Sequence, residues 1–113
     1  MRLKQKFLIA AMSAGLLLAG AASASAGPWQ ASHPRRAEVN HRLEHQNFRI
    51  DRDLRQGRIT GAQAATLHRE DRAIRFRERR DARFDGGHIT RGEQYRLNRH
   101  ENRVSGQIYR DAH

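Results

Sequence analysis

Apolar side chains recur at helical spacing along three stretches of this chain, and glycine separates the stretches. In the first, about Arg35 to Gln56, Val39, Leu43, Ile50 and Leu54 fall near one face of a helix. In the second, about Thr60 to Arg83, Ala64, Leu67 and Ile74 do the same, and in the third, about Thr90 to Ala112, Leu97, Val104 and Ile108. No proline follows Pro34, so nothing in these stretches forbids a continuous helix. Glu38–Arg42, Asp51–Arg55 and Asp71–Arg75 each put an acid four residues before an arginine, the favourable orientation on a helix surface. The pattern predicts an all-α domain of three helices over residues 35–113, preceded by a flexible leader, residues 27–34, that contains both prolines.

The two junctions share one phrase. Gly57-Arg58-Ile59-Thr60-Gly61-Ala62-Gln63 recurs thirty positions later as Gly87-His88-Ile89-Thr90-Arg91-Gly92-Glu93. The glycine suits the left-handed turn that closes a helix. The threonine suits an N-cap, and Gln63 or Glu93 three residues later completes a capping box. The isoleucine before the cap is placed to pack back as a staple.

The helices echo one another internally as well. Leu43…Asn47…Ile50, Leu67…Asp71…Ile74 and Leu97…Glu101…Val104 repeat one spacing, which sets Asn47, Asp71 and Glu101 between apolar layers. A carboxylate there is costly unless paired, and Arg49, Arg72 or Arg103 is the expected partner. The apolar set is small for a domain of this length, so self-association or a binding partner is expected.

The N-terminus carries a different pattern. Arg2, Lys4 and Lys6 precede an apolar run from Phe7 to Leu18, and Ala19 to Ala26 offers Ala22-Ser23-Ala24 and Ala24-Ser25-Ala26 as cleavage sites. Residues 1–26 therefore match a cleavable secretory signal peptide, and the expected address of the remainder is periplasmic or secreted. The first 26 residues hold three of the 22 basic residues and none of the 12 acids. The remainder has no lysine and carries 19 arginines against those 12 acids, a formal charge of +7. Such a surface prefers acidic or phosphate-bearing partners. Cysteine is absent, which removes disulfides, thiolate catalysis and cysteine-based zinc sites.

Three stretches are candidates for chemistry. The arginine-dense run Arg69 to Arg83, with Phe76 and Phe84 interleaved, is the candidate binding surface, through Arg72, Arg75, Phe76, Arg79, Arg80 and Arg83. Export makes an acidic or unfolded protein, or an envelope phosphate group, a better partner for it than genomic nucleic acid. Metal-binding is the alternative. His41 and His45, four apart, can share an ion from one helix face, and the string from His41 to His45 also matches H-x-x-E-H, although the chain is far too short for that peptidase fold. Asp81 to Glu93 resembles a degraded EF-hand in which Asp81, Asp85 and Glu93 are the only carboxylates. The first, third and fifth loop positions fall on Ala82, Phe84 and Gly86, whereas calcium takes six to eight oxygens. No nucleophile–base set is present and no cofactor is implied, so the expected function is non-catalytic.

Ile59-Thr60-Gly61-Ala62-Gln63 and Ile89-Thr90-Arg91-Gly92-Glu93 resemble the doubled L-T-x-x-Q motif of the Spy/CpxP family of periplasmic stress proteins. That resemblance implies an all-helical, basic, dimeric chaperone-like protein, although here the motifs lie closer together, Ile replaces Leu and the second ends in Glu. From Asn47 to His113 the chain also looks like small exported bacterial proteins of unknown function. That likeness rests on Asn47-x-Arg49-Ile50, Gly57-x-Ile59-Thr60, Gly86 with Glu93, and Asn102-x-x-Ser105-x-x-Ile108-Tyr109 with His113. It implies the helical fold and no particular activity.

Overall fold

A computed structural model describes residues 27–113, and the expected signal peptide lies outside them. Four helices and no strand occur among the described residues: α1 (Pro28–Ser32), α2 (Pro34–Arg55), α3 (Gly61–Phe84) and α4 (Arg91–Ala112). The all-α expectation holds, with three long helices in the places the apolar spacing predicts. The leader differs from expectation. Pro28–Ser32 is helical, with the Ser32 hydroxyl donating to the Pro28 carbonyl at 3.0 Å. The helices α2, α3 and α4 all lie in one compact unit, His33–His113.

The start of α2 is set by Pro34, whose fixed φ and missing N–H suit the first helical turn. Both junctions are built as their common phrase predicts. Gly57 (φ 72°) and Gly87 (φ 96°) take the left-handed conformation, and the backbone N–H of Gly87 donates to the Ala82 carbonyl at 2.8 Å. Thr60 accepts from the Gln63 N–H at 3.0 Å while the Gln63 side chain accepts from the Thr60 N–H at 2.9 Å. Thr90 and Glu93 exchange the same pair at 3.1 and 2.8 Å. Ile59 and Ile89 are buried, so each staple closes onto the core.

Cross-helix pairs fix the topology. Asn40–Arg75 and Asn47–His68 link α2 and α3 in antiparallel order. Gln94 and Asn98 donate to Glu38, and Arg49 donates to Ser105, so α2 and α4 run parallel. The result is an up-down-up bundle in which each long helix packs on the other two. Its seam follows alternating steps of four and three: Val39, Leu43, Gln46, Ile50 and Asp53 on α2, and Leu97, Glu101, Val104 and Ile108 on α4, are all buried. Ala64, Leu67, Asp71, Ile74, Glu78 and Ala82 line the corresponding face of α3.

Two expected positions shift by one residue. Leu54 is 40% exposed and Asp53 is buried in its place, because Asp53 continues the four-three seam. The Arg52 and Arg58 guanidiniums cover its Oδ1 at 3.2 and 3.4 Å. Likewise Asn47 is half-buried at the α2–α3 edge, where its Oδ1 meets His68. Gln46 is the buried polar residue, and its side-chain amide donates to the Glu101 carbonyl at 2.6 Å. No helix of the described residues is long and apolar enough to cross a membrane.

Candidate functional site

The α3 helix sorts its own charges by face. Successive residues are rotated by about 100°, so Arg72, Phe76, Arg79 and Arg83, spaced by four, three and four, form one stripe, with Arg80 beside it. All five are exposed. Arg72, Arg79 and Arg83 make no ion pair or side-chain hydrogen bond among the described residues. Arg75 is different. It is half-buried at the α2 edge and reaches Asn40 Oδ1 at 3.4 Å, so the structure separates it from the stripe. Phe76, in the middle of the stripe, is 62% exposed, and Phe84, about two turns further on, is 82% exposed.

Four acids are interleaved with these arginines in sequence, and none lies on their face. Asp71 and Glu78 are buried in the bundle. Glu78 is paired with the Arg36 guanidinium of α2. Glu70 and Asp81 point toward α4: Glu70 lines the groove between the two helices, and Asp81 feels Glu93 and Arg96. Arg72, Phe76, Arg79 and Arg83 therefore form a cationic, aromatic-bearing surface with no acid on their own face, and only the flanking Arg80 feels a carboxylate, that of Asp81.

Beneath it lies a layer of buried carboxyls. Glu101 is wholly buried and its oxygens have no hydrogen-bond partner, although the Arg42 Nε approaches Oε1 at 3.5 Å. Burial outweighs that cation and lifts the Glu101 pKa to about 8, with Glu38 and Asp71 adding to the rise. Asp71 has neither oxygen hydrogen-bonded, and burial raises it to about 6 against the opposing pull of His68 and Arg75. The partners expected for these acids do not serve them. Arg49 bonds Ser105, Arg103 lies against His100, and Arg72 faces outward. The nearer cations are Arg75 for Asp71, as their spacing of four offers, and Arg42 for Glu101, a cross-helix approach by an arginine that the sequence pairs with Glu38. Glu78, Gln46 and Asp53 were missed, and the four-three seam is the signal that finds them.

The metal candidates fare unevenly. His41 and His45 are both exposed and line a groove of about 470 Å³ between α2 and α4. Their neighbours there are Arg42, Gln46, Arg49 and Ser105, two of them cations and none a further acid or imidazole. Asp81, Asp85 and Glu93 do approach one another. A hydrogen bond to Glu93 raises the Asp85 pKa, while the Thr90 backbone N–H holds Glu93 below its ordinary value. Glu93 is thus committed to capping α4. The EF-hand register also fails, because α3 continues through Ala82 and Phe84, where the loop ligands belong. Among the described residues no group of three or more His, Asp or Glu is arranged to hold a metal ion.

Comparison with family models, curated proteins and solved structures finds no match to this chain.

Proposed function

We propose that this protein is an exported, non-catalytic binding protein that holds acidic segments of unfolded polypeptide on the outer face of α3, in the manner of a chaperone. The observation that carries the reading is the sorting of charge on α3. Arg72, Arg79, Arg80 and Arg83 surround an exposed Phe76, and every acid interleaved with them in sequence is buried or turned toward α4. Guanidinium groups suit carboxylates because their planar fork can bond both oxygens. The phenyl ring offers apolar contact to side chains that a folded protein conceals. An unfolded acidic segment presents both features together. The N-terminal export pattern supports a periplasmic or secreted setting, where such segments occur, and the resemblance to the Spy/CpxP motif points the same way.

The test is binding of a chemically unfolded, net-acidic polypeptide to the purified protein, compared with the Arg72→Gln/Arg79→Gln/Arg83→Gln variant and with Phe76→Ala. Each exposed charge pair is worth about 0.2–1 kcal/mol, so losing three weakens binding by about three- to a hundredfold. The wild-type affinity falls as salt shortens the screening length. Suppression of the polypeptide's aggregation falls with affinity. Equal binding by the triple variant, or affinity that salt does not change, rules the reading out.

A further inference from the structure

On the side of α3 that faces α4, a second cationic feature has a different shape. Between the two helices runs a groove of about 330 Å³, at the small end of the range of about 300–1,000 Å³ typical of ligand sites. Ala73, Ile74 and Val104 form its apolar floor, and Arg77, His100, Arg103 and Arg110 stand around it. The single acid lining it is Glu70.

The hydrogen bonding at its centre is incomplete. Arg77 Nη1 lies 2.9 Å from His100 Nε2, and the Arg103 guanidinium lies against His100 Nδ1. A guanidinium only donates, and a neutral imidazole accepts at one nitrogen alone. Two donors therefore compete for one acceptor, and a protonated ring would offer none. Neither Arg77 nor Arg103 forms an ion pair among the described residues. Burial and the charges of Arg103, Arg77 and Arg99 push the His100 pKa down, as expected where cations outnumber the acids around them. Arg110 adds a further guanidinium at the groove wall, partly engaged by Gln107 at 3.0 Å.

We propose that this groove is a binding site for a small phosphate monoester, its phosphoryl oxygens held between Arg77, His100 and Arg103 and its organic group lying on Ala73, Ile74 and Val104. A carboxylate brings two oxygens and one charge. A phosphate monoester brings three terminal oxygens and a charge of about −1.5 to −2 at neutral pH, which matches two guanidiniums and an imidazole. The apolar floor distinguishes an ester from inorganic phosphate, which has nothing to place there. The site is distinct from the outer face of α3, and its test does not depend on any polypeptide client.

The experiment is a nuclear magnetic resonance titration of the purified protein at physiological salt with phenyl phosphate, inorganic phosphate and phenol in separate arms. Saturable shifts are expected at His100 and at the Arg77 and Arg103 side chains, tightest for phenyl phosphate, weaker for inorganic phosphate and absent for phenol. The His100 titration midpoint should rise when phenyl phosphate is bound, because the phosphate charge offsets Arg77 of α3 and Arg99, Arg103 and Arg110 of α4, with Glu70 the one acid on the groove. The exposed Arg77→Gln/Arg103→Gln variant should keep its helical circular dichroism and bind at least about tenfold more weakly. Arg79→Gln, on the outer face, should bind as the wild type does. Absence of saturable shifts, phenol binding as well as its phosphate, inorganic phosphate matching the ester, an unmoved His100 midpoint or an unweakened double variant each overturns the assignment.

Discussion

Replacing Glu101 by glutamine should stabilise this protein at neutral pH and do almost nothing in mild acid. The wild-type carboxyl is wholly buried with no hydrogen bond, and its pKa rises from 4.5 to about 8. The folded state therefore keeps a proton that the unfolded chain releases between those values. Folding binds more protons than unfolding across that window, so the stability contributed by Glu101 is complete below about pH 4.5 and is lost as pH rises toward 8. At pH 7.5 the proton has been held about three units above its unfolded pKa. At about 1.4 kcal/mol per unit, that costs about 4 kcal/mol. Glutamine has nearly the same shape and does not titrate, so Glu101→Gln escapes this cost, and Arg42 gives up little because Glu101 is mostly neutral at that pH. Urea unfolding of wild type and variant, followed by helical circular dichroism at pH 4.5, 6 and 7.5, reads the difference directly. The variant's advantage should grow from near zero to about 4 kcal/mol, a large part of a small domain's total stability. A variant less stable than wild type at pH 7.5, or an advantage that does not change with pH, would refute the reasoning.

Other consequences follow from the same structure. Asp71 should weaken the fold between about pH 4 and pH 6 for the same reason, since its pKa is raised to about 6, and Asp71→Asn should flatten that part of the stability profile. Arg36→Gln leaves the buried Glu78 without its cation and should cost about 3–5 kcal/mol in urea unfolding; a cost below 1 kcal/mol at neutral pH would mean that the pair is not formed. Gly57→Ala forces a side chain into φ 72° with open space around it. The expected loss is about 1–2 kcal/mol from backbone strain alone, and an unchanged melting temperature would contradict the left-handed turn. Thr60→Ala and Thr90→Ala each remove a capping box and should cost about 1 kcal/mol apiece, additively, because the two caps share no partners.

The long helices, both capping boxes and both stapling isoleucines were legible because each depends on residues within a few positions of one another. What the chain's periodicity did not reveal was the finer rotation of each helix. Positions three and four residues from an apolar anchor both fall near its face of a helix, so Asn47 and Leu54 fit the periodicity as well as Gln46 and Asp53 do. The choice between them is made by three-helix packing, which favours the strict four-three seam and covers Asp53 with Arg52 and Arg58. The same rotation decides the candidate site. In sequence, the arginines of α3 are laced with acids and look neutralised. In the bundle, Asp71 and Glu78 turn inward, Glu70 and Asp81 turn to α4, and Arg72, Arg79, Arg80 and Arg83 are left together. The contacts of Arg77 and Arg103 with His100 join residues 23 and 3 positions apart on two helices, and only the antiparallel pairing of α3 and α4 brings all three together.

The proposed partner sits on the outer face of α3. Backbone and side-chain chemical-shift mapping, with a chemically unfolded acidic polypeptide added to the purified protein, locates that partner residue by residue. Shifts are expected to concentrate on the Phe76 ring and on the side chains of Arg72, Arg79 and Arg83, and to fade as salt is raised. A footprint centred on α2 or on the α2–α4 groove, or no footprint at physiological salt, would contradict it.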